Sequence, residues 1–129
     1  MSVPQTYRYT KDHEWIDDPT GASAKVGITD FAANALGDIV FVDLPQVGDE
    51  VAAGTQCGEI ESTKSVSSLF APVSGSVTAV NEAVIDAPEL VNEAPFGDGW
   101  LYQLAPDGST GADLLDAAAY EATLAEAED

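Results

Sequence analysis

At 129 residues with a 45% hydrophobic fraction, the chain has the length for one domain, 1–129, with a real core and little room for a second. Its 23 acidic and 4 basic residues give a formal charge of −19. That argues against nucleic acid or an anionic membrane as partner, because both call for a basic patch.

No apolar run approaches the roughly 20 residues of a transmembrane helix. Met1-Ser2-Val3-Pro4-Gln5-Thr6 lacks the basic and apolar regions of a signal peptide, so the expected compartment is the cytoplasm. A surface with acids in place of lysines suits a cytoplasm rich in salt, where at 1 M the screening length falls to about 3 Å. The expected source is a halophilic prokaryote, and the charge is an adaptation to solvent that says little about activity.

The first two-thirds of the chain reads as short strands. Tyr7-Arg8-Tyr9 and Glu14-Trp15-Ile16 come first. Asp17-Asp18-Pro19-Thr20-Gly21 is turn chemistry, across which Ala24-Lys25-Val26-Gly27-Ile28 pairs back as a hairpin. Thr29 or Asp30 caps a short helix near 30–36, Phe31 to Leu36, which Gly37 ends. Ile39-Val40-Phe41-Val42 is a continuous apolar run that suits a strand covered on both faces.

Pro45-Gln46-Val47-Gly48 is then echoed by Pro72-Val73-Ser74-Gly75, each followed by a valine, Val51 or Val77. Two such turns flanking a central hairpin fit a sandwich of two related halves with few free edges. Between them, Gln56 to Glu61 and Ser65 to Phe70 read as strands with Lys64 at their junction. Asp86 to Val91 reads as one helical turn beginning near Pro88, and Phe96-Gly97-Asp98-Gly99 as a loop. Trp100 to Leu104 is a last strand. A C-terminal helix near 111–126 follows, with Leu114, Ala117, Tyr120 and Leu124 on one face and a start at Thr110 and Asp113.

Most catalytic chemistries find no support in this sequence. A single histidine, His13, cannot build a metal site from several imidazoles. No spacing pairs it with Cys57, the single cysteine, which reads as a small buried hydrophobe and cannot form an internal disulfide. Among 23 carboxylates some pairs are unavoidable, so none is evidence of acid–base catalysis. Lys64 is different. Arg8, Lys11 and Lys25 lie in the first 25 residues, leaving Lys64 as the one cation in the rest of the chain. Its neighbours, Glu61-Ser62-Thr63-Lys64-Ser65-Val66, place it at a hairpin tip among small hydroxyl residues. A lone lysine there offers a nucleophilic nitrogen on a flexible stem, which suits covalent attachment. The plainer alternative is a solubilising turn lysine.

That hexapeptide, followed by Ala71-Pro72-Val73-Ser74-Gly75-Ser76-Val77, resembles the modification hairpin of lipoyl carriers. The chain as a whole resembles the H-protein family of the glycine cleavage system. The resemblance runs through Tyr9-Thr10-Lys11-Asp12-His13-Glu14-Trp15-Ile16 and Val26 to Ala32, then through Leu36-Gly37-Asp38 to Pro45 and the lysine hairpin. It continues through Asn81-Glu82-Ala83, Pro88 to Asn92 and Gly99-Trp100-Leu101. Thr63 and Ser65 stand where valine and alanine are more usual.

The resemblance implies a mainly β fold, a lipoyl/biotinyl-carrier-like flattened barrel or sandwich (a barrel-sandwich hybrid), and a carrier rather than an enzyme. It implies lipoate in amide linkage to Lys64. It implies, as partners, a pyridoxal-phosphate glycine decarboxylase that loads an aminomethyl group, an aminomethyltransferase that removes it, dihydrolipoamide dehydrogenase and a lipoate-attaching enzyme. A groove that shields the loaded arm would be useful, and Glu14 is the candidate to face its ammonium, with Trp15 as apolar wall; equally, Glu14 is one acid among many and Trp15 is core. A biotin carrier usually places methionines where Thr63 and Ser65 stand, and a lipoyl domain of a 2-oxoacid dehydrogenase is shorter and lacks the N-terminal region to Phe31 and the C-terminal helix. An H-like protein that only relays lipoate and an unmodified interaction module remain open, although the retained Lys64 counts against the second.

Overall fold

A computed structural model describes residues 4–18, 22–107 and 114–128. In chain order the strands are β1 (Arg8–Tyr9), β2 (Glu14–Ile16), β3 (Ala24–Ile28), β4 (Ile39–Asp43), β5 (Glu50–Val51), β6 (Gln56–Ser62), β7 (Val66–Phe70), β8 (Gly75–Val80) and β9 (Tyr102–Pro106). The helices are α1 (Asp30–Leu36), α2 (Glu82–Asp86), α3 (Glu89–Glu93) and α4 (Ala117–Glu128). Two antiparallel sheets form the body, one ordered β1-β2-β3-β9-β8-β5 and the other β4-β6-β7. This is the mainly β sandwich expected from the sequence. The two echoed segments meet directly: β5 pairs with β8, with Glu50 opposite Ser76 and Val51 opposite Gly75.

Between the sheets lies the main core, including Val26, Ile28, Ile39, Val42, Ile60, Leu69, Val77 and Leu104. Alternation puts Val26 and Ile28 on the same side of β3, while Ile39 and Val42, three residues apart on β4, both face inward across an irregularity in register. A second cluster holds Tyr9, Trp15, Ala117, Tyr120 and Leu124 beneath α4. Tyr9 and Tyr120 stack there with ring centroids 4.8 Å apart. The indole Nε1 of Trp15 donates to the carbonyls of Ile28 and Pro95 at 3.0 and 2.9 Å, so the ring is held on its polar edge as well as packed.

α1 starts as the sequence suggests. The Thr29 side chain accepts from the Ala32 amide, and Gly37 closes the helix at φ +85°, a conformation that favours glycine. Asn92 on α3 then ties down the corner. Its side chain donates to the Gly37 carbonyl at 2.8 Å and accepts from the Ile39 amide at 2.9 Å.

Four expectations need correction. β4 is not covered on both faces: Val40 and Phe41 are about half exposed, and a bulge between Ile39 and Phe41 lets two consecutive side chains point outward. The helical turn expected at Pro88 is two helices, because Asn81 caps an additional one, accepting from the Ala83 amide. The last strand lies two residues later than expected, at Tyr102–Pro106. The C-terminal helix begins at Ala117, where the Asp116 carboxylate accepts from the Ala119 amide at 2.8 Å. Leu115 is extended instead, bridging to Tyr9 through paired backbone hydrogen bonds of 2.7 and 2.8 Å. The expected start at Thr110 and Asp113, and Pro19 to Gly21 of the first turn, lie outside the described residues.

Gly27 sits against the pinned indole: a Cβ there would come within 2.7 Å of the Trp15 ring. Because Trp15 is held by two hydrogen bonds it has little room to yield, so Gly27→Ala should lower unfolding stability by about 1–3 kcal/mol, the usual cost of overpacking. Urea titration of the two proteins checks this, and equal midpoints would show that the ring moves freely.

Candidate functional site

Lys64 stands exposed on the turn between β6 and β7, and the turn is braced from inside. The Ser62 hydroxyl accepts from the Lys64 amide at 3.3 Å and the Ser65 amide at 3.1 Å, and donates to the Ser65 carbonyl at 3.2 Å. The backbone closes the same four residues with Ser62 N–H on the Ser65 carbonyl at 2.8 Å, and Thr63 N–H reaches across to Asp38 at 3.0 Å. A hydroxyl-braced turn of this kind fixes the backbone while leaving the intervening side chain outside. Ser62 was expected only to be small; its structural part is to hold the turn.

The lysine stem lies over Gly37. A Cβ on Gly37 would stand 3.0 Å from Lys64 Cε, so the missing side chain there is what leaves the stem its path. Leu36, one residue earlier, lines a cleft of about 230 Å³ together with Phe31, Ala32, Ala35 and Ile60. Glu14, Asp12 and His13 supply the polar side of that cleft. A second cleft, of about 350 Å³, shares Asp12 and Glu14 and is walled by Thr10, Gly54, Phe70 and Ala71.

Glu14 is 1% exposed, the most buried acid among the described residues. Its carboxylate accepts from the Thr10 hydroxyl at 3.0 Å and from the Phe70 amide at 2.9 Å. The second bond crosses from β2 in one sheet to β7 in the other. Burial pushes this carboxyl up to about 7; the bonds from Phe70 and Thr10 oppose the rise, and the charge of Asp12 adds to it. Trp15, the next residue, points the opposite way along β2 into the aromatic cluster with Tyr7 and Phe96. It lines neither cleft, and the apolar walls come from Phe31, Leu36 and Phe70 instead.

His13 takes a left-handed backbone, φ +68°, and its Nδ1 lies 2.8 Å from the Tyr120 hydroxyl, which is 2.7 Å from Thr29 Oγ1. Burial pulls the imidazole down from its ordinary range, with Asp12 opposing. The set anchors α4 to the cap of α1, and Cys57 stands apart from it. That thiol is half-buried against the core and donates to the Tyr102 hydroxyl at 3.5 Å; burial pushes its titration upward. Among the described residues no group of acids, cysteines and histidine is placed to hold a metal, and no helix is long and apolar enough to cross a membrane.

A rigid double sheet that presents one exposed lysine on a braced hairpin, beside a cleft with a buried carboxyl, is the form of a covalent-cofactor carrier. The family model for the glycine cleavage H-protein matches residues 7–127. The chain is 57% identical over 122 residues to the glycine cleavage system H protein of Streptomyces coelicolor, covering 95% of this chain and 97% of that one. It is 54% identical over 125 residues to the probable glycine cleavage system H protein of Natronomonas pharaonis, covering 97% and 98%. A crystal structure of a glycine cleavage system H protein from Mycobacterium marinum superposes with a TM-score of 0.90 at 47% identity, over 95% of this chain and 99% of that one. The chain belongs to the glycine cleavage H-protein family, whose members are lipoyl carriers and not themselves catalysts.

Glu14 makes stability depend on pH. Its carboxyl titrates at about 7 in the fold and near 4.5 when unfolded, so between those values the folded state holds more protons. The stability that accompanies the neutral form is complete below 4.5 and is lost as pH rises through 7. Glu14→Gln, which stays neutral, should escape that loss. Its advantage over the parent should grow across this interval to on the order of 3 kcal/mol and then level off. Urea unfolding of both proteins at pH 4.5, 6 and 8 measures it, and a constant difference would place the carboxyl's titration elsewhere.

Proposed function

We propose that Lys64 is the residue that carries lipoate, and that Glu14 faces the cargo when the arm folds back against the body. The observation that carries this reading is the exposed lysine on its Ser62-braced turn, with a stem that lies over Gly37, the residue after Leu36 of the cleft. Lipoate, when bound, supplies a disulfide that opens to accept a carbon group and is reset by thiol–disulfide exchange. The chain's own contribution is to hold and present. The sheet keeps the turn rigid, so a partner that docks once meets the arm at an effective concentration in about the mM range.

In the cleft, Phe31, Ala32, Ala35 and Leu36 exclude water from one side, and Glu14 offers a carboxyl poised near neutral pH on the other. A cationic amine brought beside it would draw that carboxyl to its charged form, releasing a proton as it is bound. Trp15 acts from behind, fixing β2 through its two hydrogen bonds so that Glu14 keeps its direction. The partners on this reading are the glycine decarboxylase, the aminomethyltransferase and dihydrolipoamide dehydrogenase, with a lipoate-attaching enzyme before them, and the compartment is the cytoplasm. The charge of −19 is read as adaptation to salt, in keeping with the Natronomonas relative.

Two variants test the site together. Lys64→Arg keeps the charge but should show no lipoyl increment in intact mass and should abolish glycine breakdown in a host that depends on it. Glu14→Gln should keep the increment and shorten the lifetime of the loaded arm in solution. A lipoyl increment that survives Lys64→Arg would place the attachment elsewhere, and an unchanged lifetime would take Glu14 out of the cleft's function. Raising KCl from 0.15 to about 2 M should raise the melting temperature as surface repulsion is screened, and a flat response would remove the halophilic reading.

A further inference from the structure

Glu14 does not hold its own direction, because residues 10–14 form a closed loop whose first residue grips the last. The Thr10 amide donates to the Glu14 carbonyl at 2.9 Å, and the His13 amide donates to the Thr10 carbonyl at 3.1 Å. Inside the loop the Thr10 hydroxyl oxygen accepts from the amides of Asp12 at 3.2 Å and Glu14 at 3.3 Å. The same hydroxyl donates to Glu14 Oε1 at 3.0 Å, and both side chains are buried.

A hydroxyl has two lone pairs and one proton. Two backbone amides fill the lone pairs, so its proton is what Thr10 has left to offer the carboxyl. The Phe70 amide on the other oxygen is likewise a donor and nothing else. A neutral Glu14 therefore finds no acceptor for its own O–H in either contact, whereas a charged Glu14 satisfies both donors at once. Burial pushes the carboxyl up to about 7, and the bonds from Phe70 and Thr10 restrain the rise. Of the two, the Thr10 bond comes from a side chain and can be deleted.

The surrounding titratable groups supply no fixed counter-charge. Asp12, on the same loop, adds to the rise, and burial pulls the His13 imidazole down from its ordinary range. Cys57 on β6 and Tyr102 on β9 are neutral, their titrations pushed up by burial. Lys11 lines the larger cleft without an ion pair to Glu14 among the described residues. From α1 and β7 the smaller cleft receives Phe31, Leu36, Ser67 and Ser68, none of which titrates in this range.

Resting on Glu14 as the group that faces the cargo, we propose that Thr10 is its positioning residue. The Thr10 hydroxyl, locked as a donor by the amides of its own loop, keeps the Glu14 carboxylate charged and aimed when a cationic amine enters the cleft. Thr10 lines the larger cleft and not the smaller, so its effect on cargo in the smaller one passes through Glu14.

The first readout needs no cargo. Carbon-13 NMR of the Glu14 carboxyl in the unmodified chain should show its titration rise by about one pH unit in Thr10→Val, the scale of a lost hydrogen bond to a charged group. Thr10→Ala removes the same hydroxyl with less bulk and should match it, which covers the case of a valine variant that does not fold. Thr10→Ser should restore the wild-type titration. In the lipoylated, loaded chain the lifetime of the arm at pH 7 should fall about fivefold in the deletion variants, the loss of ionised Glu14 that a one-unit rise from about 7 brings. The ratio to wild type should return toward one by about pH 9, whereas a loop that is merely loosened would shorten the lifetime at every pH. A Glu14 titration unmoved by both deletions would overturn the proposal, and a shortened lifetime in Glu14→Gln would then still leave Glu14 facing the cargo. A lifetime indifferent to Glu14→Gln would remove that reading and this proposal with it.

Discussion

One hydrogen bond joins the two sheets at the point where the cleft opens: the amide of Phe70, at the end of β7, donates to the buried carboxylate of Glu14 on β2. An unpaired amide or carboxyl buried there would be costly, on the order of 1–3 kcal/mol for a neutral group and more for a charged one. Each partner therefore holds the other. The bond also holds the Glu14 carboxyl beside Ile28, Ile60 and Leu36 of the smaller cleft, so that part of the cleft is not lined by apolar groups alone. Burial raises the titration of Glu14 to about 7, which leaves it near the boundary between neutral and charged forms. A fully ionised acid there would need a permanent cationic partner, and a fully neutral one would attract no cation.

Around that contact the chain separates rigidity from mobility. The rigid part is the hairpin, closed by Ser62 and by the bond from Thr63 to Asp38, with Asn92 fixing the adjoining corner at Gly37. The part left free of the scaffold is one exposed side chain, that of Lys64. This division suits a carrier, because any looseness in the scaffold would dilute the presented group, while any rigidity in the arm would keep it from reaching more than one position. α4 extends the same logic to the N-terminal segment. Tyr120 joins the Thr29 cap to His13, one residue from Glu14, so the C-terminal helix steadies the polar wall of the cleft from outside.

The elements that were legible in the sequence are those fixed by local chemistry. Thr29 and Gly37 bound α1 through capping and a left-handed C-cap, and the turn residues around Lys64 located its hairpin to within a residue. Depletion of lysine elsewhere singled out Lys64 without any structure. What the sequence did not disclose depends on register and long-range contact. The four apolar residues of β4 looked like a doubly covered strand, and only a bulge decides that Val40 and Phe41 face outward. The face of Glu14 could be guessed from its place in a strand, but its bond to an amide 56 residues away could not. Trp15 was expected beside it, yet adjacent strand residues point to opposite faces, and the alternation rule could have separated them. Asn81 as a helix cap was visible in principle, as was the hydroxyl of Ser62, since both are common in turns and caps.

The acidic composition bears on selectivity as well as on solvent. An enzyme that acylates an amine must distinguish one lysine from all others on the surface. This chain carries four cations in all. Arg8 has no acylable amine, and its guanidinium donates to the Tyr7 carbonyl at 3.2 Å. Lys25 holds its Nζ 5.2 Å from the centre of the Trp100 ring, a contact that competes with any reagent. Lys11 lines the larger cleft on the far side of Glu14 from the hairpin. Lys64 alone combines an exposed side chain with a braced turn. Discrimination among so few amines asks little of the attaching enzyme. With Lys64 as the proposed attachment residue, rejection of neighbouring lysines is largely accomplished by their scarcity.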